Sequence, residues 1–228
     1  MNQTKVQVWL GVATILLIAV FVHAQETYEA GKDYLVVPTR DEADSEETSE
    51  QADETIEVLE FFAYGCIHCY RFERYIKNWM KKKGEDVTFT REHLVYDASW
   101  VPLARAYYVA EDLKVLPKVH DRLFQYIHDR GINLSSDELL KRLFKSLAEV
   151  DAETFEEKYW STETKEKIKS AVRKASDWRV ISTPSLVVDG KYLVNTRTTD
   201  GNPKKIFKVV DYLIDQIRQE RSSEVPNT

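Results

Sequence analysis

The chain has 228 residues, 43% hydrophobic and 31% charged, enough apolar sequence to bury a core in one domain or a domain with an insert. Its 32 basic against 38 acidic residues give a net charge of −6, which argues against a nucleic-acid binder, since displacing counterions needs a basic face, and against a polybasic lipid anchor. Seven glycines and six prolines exclude collagen-like and low-complexity chains, and two cysteines are too few for a stapled scaffold or a cysteine-rich metal centre.

Lys5 is the only charge before Glu26, and Val6 to Val22 is apolar apart from Gln7, Gly11 and Thr14. Val22-His23-Ala24 then forms a small-residue cleavage pattern, which predicts a secretory signal peptide over 1–24. An uncleaved anchor is the alternative, because the stretch is borderline in length for a membrane span. Either one sends the remainder to an oxidising compartment. Tyr34 to Val37 is a short strand candidate. Asp41 to Glu54 carries eight acids and no base, a self-repelling block with nothing to bury, so a solvated linker is expected over 41–55.

Ile56 to Phe62 is an apolar run suited to a central strand buried on both faces. From Cys66, apolar residues at Cys69, Phe72, Ile76, Trp79 and Met80 form a helical stripe, with Arg71, Glu73, Arg74, Lys77 and Asn78 on the wet side. Lys81-Lys82-Lys83 and Gly84 read as a basic last turn and a stop. Val87 to Val95 is a further strand candidate. From Ser99 to Val180 the period is helical throughout. Within that block Ser135-Ser136 offer helix caps, Asp151 starts a short helix, and Ile168, Ala171, Val172, Ala175 and Trp178 make another stripe. Ser185 to Val188 and Tyr192 to Val194 flank Asp189-Gly190, a hairpin signal. Asn202-Pro203 opens a last helix with Ile206, Val209, Val210, Leu213 and Ile217 inward. The expected organisation is an α/β domain in two parts, 25–96 and 181–221, around an all-helical insert over 97–180, with a flexible C-terminus over 222–228.

Cys66 and Cys69 sit where the central strand hands over to a helix. Free N–H groups and the dipole at a helix start favour an anion, so a thiolate at Cys66 is stabilised. Cys69, one turn on and near the apolar stripe, is expected to be buried and less acidic. So unequal a pair suits thiol–disulfide exchange, with Cys66 attacked and Cys69 resolving the mixed disulfide. Its short loop would make a weak structural staple. His68, between the two, would stabilise the thiolate by charge when protonated, or be an inert surface histidine. A zinc site would need two more ligands, and His93, His120 and His128 show no paired spacing.

Glu60 is an acid inside an apolar strand, six residues before Cys66. Buried carboxylates are costly and usually paired or functional, so Glu60 is a candidate proton carrier for Cys69, and Arg91 a candidate charge partner. The bland alternative is a strand-end glutamate facing water. Thr183-Pro184 opens the late strand, where a proline without an N–H is tolerated, and an X–Pro bond there is open to the cis form.

These residues resemble the DsbA family of bacterial periplasmic thiol–disulfide oxidoreductases. Val58–Glu73 (VLEFFAYGCIHCYRFE) is similar to the family's active-site segment, Thr183–Tyr192 (TPSLVVDGKY) to its cis-proline strand and hairpin, and Tyr28–Tyr34 (YEAGKDY) to its N-terminal segment. The resemblance covers most of the chain after the signal segment. It implies a thioredoxin fold, a central mixed sheet flanked by helices, with an inserted helical domain. It implies Cys66 as the exposed nucleophile, Cys69 as the buried resolving thiol, Glu60 as the buried acid with Arg91 beside it, and Pro184 in cis next to the active site. Thr183 would pair its backbone with substrate, and Ile67 and Pro184 would touch it. Reduced, unfolded exported proteins would be the substrates, and a DsbB-like membrane oxidant would restore the disulfide in the periplasm. A monomer needing no soluble cofactor is expected. Three features depart from the family pattern: Ile67-His68 where its best-known members have Pro-His, the variable Thr183, and the acidic stretch 41–54.

The main reading is an exported oxidase that donates its Cys66–Cys69 disulfide. Competing readings are a reductase or isomerase of the same fold, a chaperone or binding module that has kept the fold, and metal binding through Cys66, His68 and Cys69. The region before Ile56 is too short and acidic for the separate dimerisation domain of the related isomerases.

Overall fold

The structure is a computed structural model that describes residues 26–38, 55–96 and 98–224. The expected signal peptide, acidic linker and last four residues lie outside the described residues. One five-stranded mixed sheet organises the fold. Its strands are β1 (Leu35–Val36), β2 (Ile56–Phe62), β3 (Val87–His93), β4 (Ser185–Val188) and β5 (Tyr192–Asn195), in the order β1-β5-β4-β2-β3. β2 runs parallel to β3 and antiparallel to β4, which pairs antiparallel with β5. All of β2 is buried except Glu57, as its continuous apolar run requires.

Successive strand residues point to opposite faces, and β2 supplies two cores on that rule. Ile56 and Val58 face α1 (Ile67–Met80) and α7 (Pro203–Glu224), packing with Phe72, Ile76, Trp79, Val210 and Leu213. Leu59 and Phe61 face the other side, against Val187, Ala175, Val180 and Trp178. Glu60 and Phe62 therefore share the α1 side, and Phe62 reaches the third core. That core belongs to the helical block α2 (Val101–Asp112), α3 (Leu116–His128), α4 (Asp137–Ala148), α5 (Ala152–Tyr159) and α6 (Thr162–Asp177). Cys69 and Tyr64 also belong to it, so the helical block roofs the start of α1.

Local signals place the elements. Val101-Pro102 and Leu116-Pro117 open α2 and α3, positions that need no N–H donor. The Asp151 and Ser161 side chains accept the N–H of Thr154 and Thr164 at the starts of α5 and α6. Asp189 and Gly190 both take positive φ, 54° and 62°, and the Lys191 N–H returns to the Val188 carbonyl at 3.0 Å, closing the turn between β4 and β5. Asn202 Oδ1 accepts the N–H groups of Lys204 and Lys205 at 3.0 and 3.3 Å and starts α7.

Several expectations need correction. The first strand is confined to Leu35–Val36. α1 stops at Met80, where the N–H groups of Lys82 and Lys83 both turn back to Trp79 O, so the lysine run follows the helix and Gly84 is not its cap. Met80 is exposed, and Glu73, expected on the wet side, is buried. Val172 is exposed, the inward residues of α6 being Thr164, Ala171 and Ala175. Ser136 precedes α4 without a side-chain cap bond. α7 continues to Glu224, into the segment expected to be flexible. Among the described residues no helix is long and apolar enough to cross a membrane.

Phe62 sets the joint between the sheet and the helical block. Its ring meets those of Tyr64, His93 and Tyr107 edge-on at 5.1–5.2 Å between centroids. Phe62→Ala leaves a cavity there and is expected to lose about 3–5 kcal/mol of stability. Urea unfolding checks this, and a loss well under 1 kcal/mol would mean the joint repacks.

Candidate active site

Cys66 is the residue that caps α1. Its backbone is extended (φ −84°, ψ 110°), and its Sγ accepts the N–H of Cys69 at 3.3 Å. The Thr183–Pro184 bond is cis, and the Thr183 carbonyl lies 3.5 Å from Sγ. So the helix start and the start of β4, 117 residues apart in sequence, meet at one sulfur. Both cysteines are free thiols here; Cys66 is half-buried and Cys69 buried.

The environments drive the two thiols apart. A hydrogen bond from the Cys69 thiol, opposed by partial burial, lowers Cys66 to about 5, helped by Thr183 and by the main-chain N–H groups of Cys69 and His68. Burial, followed by the neighbouring Cys66 sulfur, holds Cys69 well above an ordinary thiol. His68 therefore reaches the sulfur through its backbone. In a first helical turn the N–H points at the cap while the side chain points out, and the His68 side chain is exposed. His68 lines a groove of about 200 Å³ with Arg71, Phe72, Pro184, Thr196 and Pro203. Ile67, 37% exposed, sits beside Cys66.

Glu60 is completely buried, with Oε2 accepting from Arg91 Nε at 2.8 Å. Its other oxygen, Oε1, has no hydrogen-bond partner among the described residues, and the side chain shares the α1 face of β2. Burial raises Glu60 above the usual carboxylate range despite the Arg91 charge. The same guanidinium reaches Glu73 at 3.1 Å, so Arg91 bridges two buried acids. Burial opposes the Glu73 charge, but His120 and Arg91 outweigh it and hold this carboxyl below its ordinary value.

Sequence reasoning missed the rest of this cluster. Glu73 follows Cys69 by four residues, a spacing that already placed it on the buried face of α1. His120 Nε2 lies 3.2 Å from Glu73, and the Tyr64 hydroxyl is 2.9 Å from His120 Nδ1. The Tyr64 N–H donates to His93 Nε2 at 3.0 Å, and the Tyr64 carbonyl accepts from His128 at 2.8 Å. Three histidines thus hold the N–H, carbonyl and hydroxyl of Tyr64, two residues before Cys66. Burial lowers His93 to about 3, so it stays a neutral acceptor. Glu73, His120 and Asp121 bring ligand atoms within 4.8 Å of one another, but Arg91 and Lys77 already neutralise the two carboxylates.

Two outcomes follow from these charges. Cys66 falls from an ordinary 9.0 to about 5 on folding, so its ionisation stabilises the reduced fold, fully above pH 9, with the gain lost as pH falls through 5. Thiolate absorbance of the reduced protein is expected to titrate near 5, and urea melts to show the reduced form gaining on the disulfide form between those limits. Titration of Cys66 in the ordinary thiol range would refute this. Arg91→Met strands two buried carboxylates and is expected to lose about 3–5 kcal/mol at neutral pH. The loss should shrink in mild acid as the acids take up protons; a pH-independent loss would assign Arg91 a packing role alone.

Comparison with known proteins places this geometry. A family model described as a DSBA-like thioredoxin domain matches residues 57–205. The thiol:disulfide interchange protein DsbA of Azotobacter vinelandii is 35% identical over 169 residues, covering 74% of this chain and 77% of the relative. Its counterpart in Pseudomonas aeruginosa is 33% identical over 193 residues, covering 85% and 87%. The crystal structure of Pseudomonas aeruginosa DsbA superimposes with a TM-score of 0.75 at 30% identity, over 86% of this chain and 97% of that one. The oxidoreductase DsbA from Xylella fastidiosa gives a TM-score of 0.73 at 27% identity, over 84% and 98%. With its cysteine pair at a helix start against a cis-proline on a thioredoxin-like sheet, the chain belongs to the DsbA family of thiol:disulfide oxidoreductases.

Proposed function

We propose that this oxidoreductase works as an oxidase, passing its Cys66–Cys69 disulfide to reduced, unfolded proteins in the periplasm. The observation that carries the direction is the opposite displacement of the two thiols, Cys66 down and Cys69 up. A reduced form relaxed by a stable thiolate makes the disulfide oxidising.

A substrate thiolate attacks Cys66 Sγ, the exposed sulfur of the pair. The Cys66–Cys69 bond breaks as a mixed disulfide forms, and Cys69 leaves with the electron pair. Cys69 favours its protonated state, and Glu60, held near neutrality by burial, is suited to supply that proton. The second substrate thiolate then attacks the substrate sulfur of the mixed disulfide, and Cys66 leaves as a stable thiolate. Two electrons pass from the substrate dithiol to the enzyme, and no soluble cofactor is needed. Thr183, with its backbone at the sulfur, offers pairing to an extended substrate, and Ile67 and Pro184 offer apolar contact. The enzyme acts as a monomer, and a DsbB-like membrane oxidant restores the disulfide.

Equilibration of the pair in glutathione buffers tests the direction. Reduction in mildly reducing buffer is expected; a disulfide that survives strongly reducing buffer would make the protein a reductase. Cys66→Ser and Cys69→Ser are each expected to abolish peptide oxidation, since neither has a disulfide to donate, while the Cys66 thiolate of Cys69→Ser still takes a glutathionyl group from oxidised glutathione and releases one glutathione thiol. Undiminished oxidation by Cys66→Ser would remove this site from the reaction.

A further inference from the structure

The exposed charge of α1 is of one sign. Its single acid, Glu73, is buried, which leaves Arg71, Arg74 and Lys77 on the surface of a chain whose net charge is −6. Lys77 is tied to Asp121 at 2.5 Å. Arg71 and Arg74 stand between two clefts: one they share with Glu73, Lys77 and Asp121, the other runs past His68 and Pro184 and has no carboxylate among its described lining residues. Arg74 lies over the Tyr75 ring, 4.7 Å from its centroid, and donates to the Tyr75 hydroxyl at 2.7 Å. Tyr75 thus holds the guanidinium at the groove, and among the described residues Arg74 has no carboxylate within salt-bridge distance. Arg71 is exposed and has no charged partner among the described residues. Arg197, also exposed, follows the groove residue Thr196. Asp200, beside the groove residue Gly201, lies 3.6 Å from Lys205.

Distances along the helix set the reach. Arg71 and Arg74 stand five and eight residues past Cys66, about 7.5 and 12 Å of helical rise, which an extended peptide covers in roughly two to four residues. We infer that this groove selects substrate segments carrying Asp or Glu about two to four positions from the reacting cysteine, held by Arg71 and Arg74. The inference rests on the oxidase reading of the site and adds a substrate class to it. A guanidinium offers a carboxylate paired N–H donors, and an unpaired positive wall raises the encounter rate of an acidic segment. A basic segment at the same positions meets like charge.

Two dithiol peptides, identical except for Asp or Lys two and four residues from one cysteine, test this with the oxidised full-length protein. At low ionic strength kcat/KM is expected to favour the Asp peptide by roughly threefold to tenfold, collapsing toward equality at high salt. In Arg71→Glu/Arg74→Glu the preference is expected to invert. Equal rates at low salt, or an Asp preference that survives the double reversal, overturns the inference and leaves the oxidase standing. A wild-type protein that oxidises neither peptide sinks both. Should the double variant fail to fold, the salt dependence of the wild-type ratio decides alone.

Discussion

The convergence of hydrogen-bond donors on one sulfur governs this molecule. Cys66 is at once a helix cap and the proposed nucleophile, because the groups that satisfy an N-cap side chain are the groups that stabilise an anion. The Cys69 N–H at 3.3 Å belongs to the helix, and the neighbouring contacts belong to Cys69, His68 and Thr183. The sulfur therefore becomes acidic without a formal positive charge beside it. Its partner has the reverse environment: Cys69 is one turn on, fully covered by the helical block, and holds its proton. The distance between these two environments is one helical turn, and the chemistry depends on that gradient staying steep.

The rest of the architecture maintains the gradient. β2 brings Glu60 under the start of α1 because alternate strand residues share a face, and Arg91 comes from the paired position on β3, where the register sets Arg91 opposite Glu60. One guanidinium then serves two acids, Glu60 at 2.8 Å and Glu73 at 3.1 Å. Shared in this way it leaves Glu60 only partly compensated, and a carboxyl so placed can hold or release a proton near neutral pH. The histidine clamp on Tyr64 has a mechanical role beside this one. With its N–H, carbonyl and hydroxyl all engaged by β3 and α3, the turn before Cys66 cannot drift as the sulfur changes partners.

Much of this was legible in the chain itself. The two-faced burial of Ile56–Phe62, the helical stripe from Cys69 through Phe72 and Ile76, and the Asp189-Gly190 hairpin are local patterns whose physics is complete within a few residues. The resemblance over the cysteine segment and the Thr183-Pro184 strand extended this to the fold, and the family match bears it out. Glu73 shows where local reading failed. As a glutamate between arginines it reads as solvated, yet its place four residues after Cys69 turns it inward, and burial became tolerable only because Arg91 and His120 arrive from other elements. Met80 failed the other way, since the helix ends at that residue and its side chain stays exposed while Trp79 beside it is buried.

By itself the sequence determined the thioredoxin-like order of elements, the cysteine pair at a helix start and the acid in the central strand, because each rests on spacing along a single element. Only the tertiary structure decided that Thr183 meets Cys66, that His93, His120 and His128 gather on Tyr64, and that Arg71 and Arg74 share a groove with Pro184. Those contacts join residues tens of positions apart, and whether a buried charge or an acidic thiol is tolerated depends on partners that sequence spacing does not reveal.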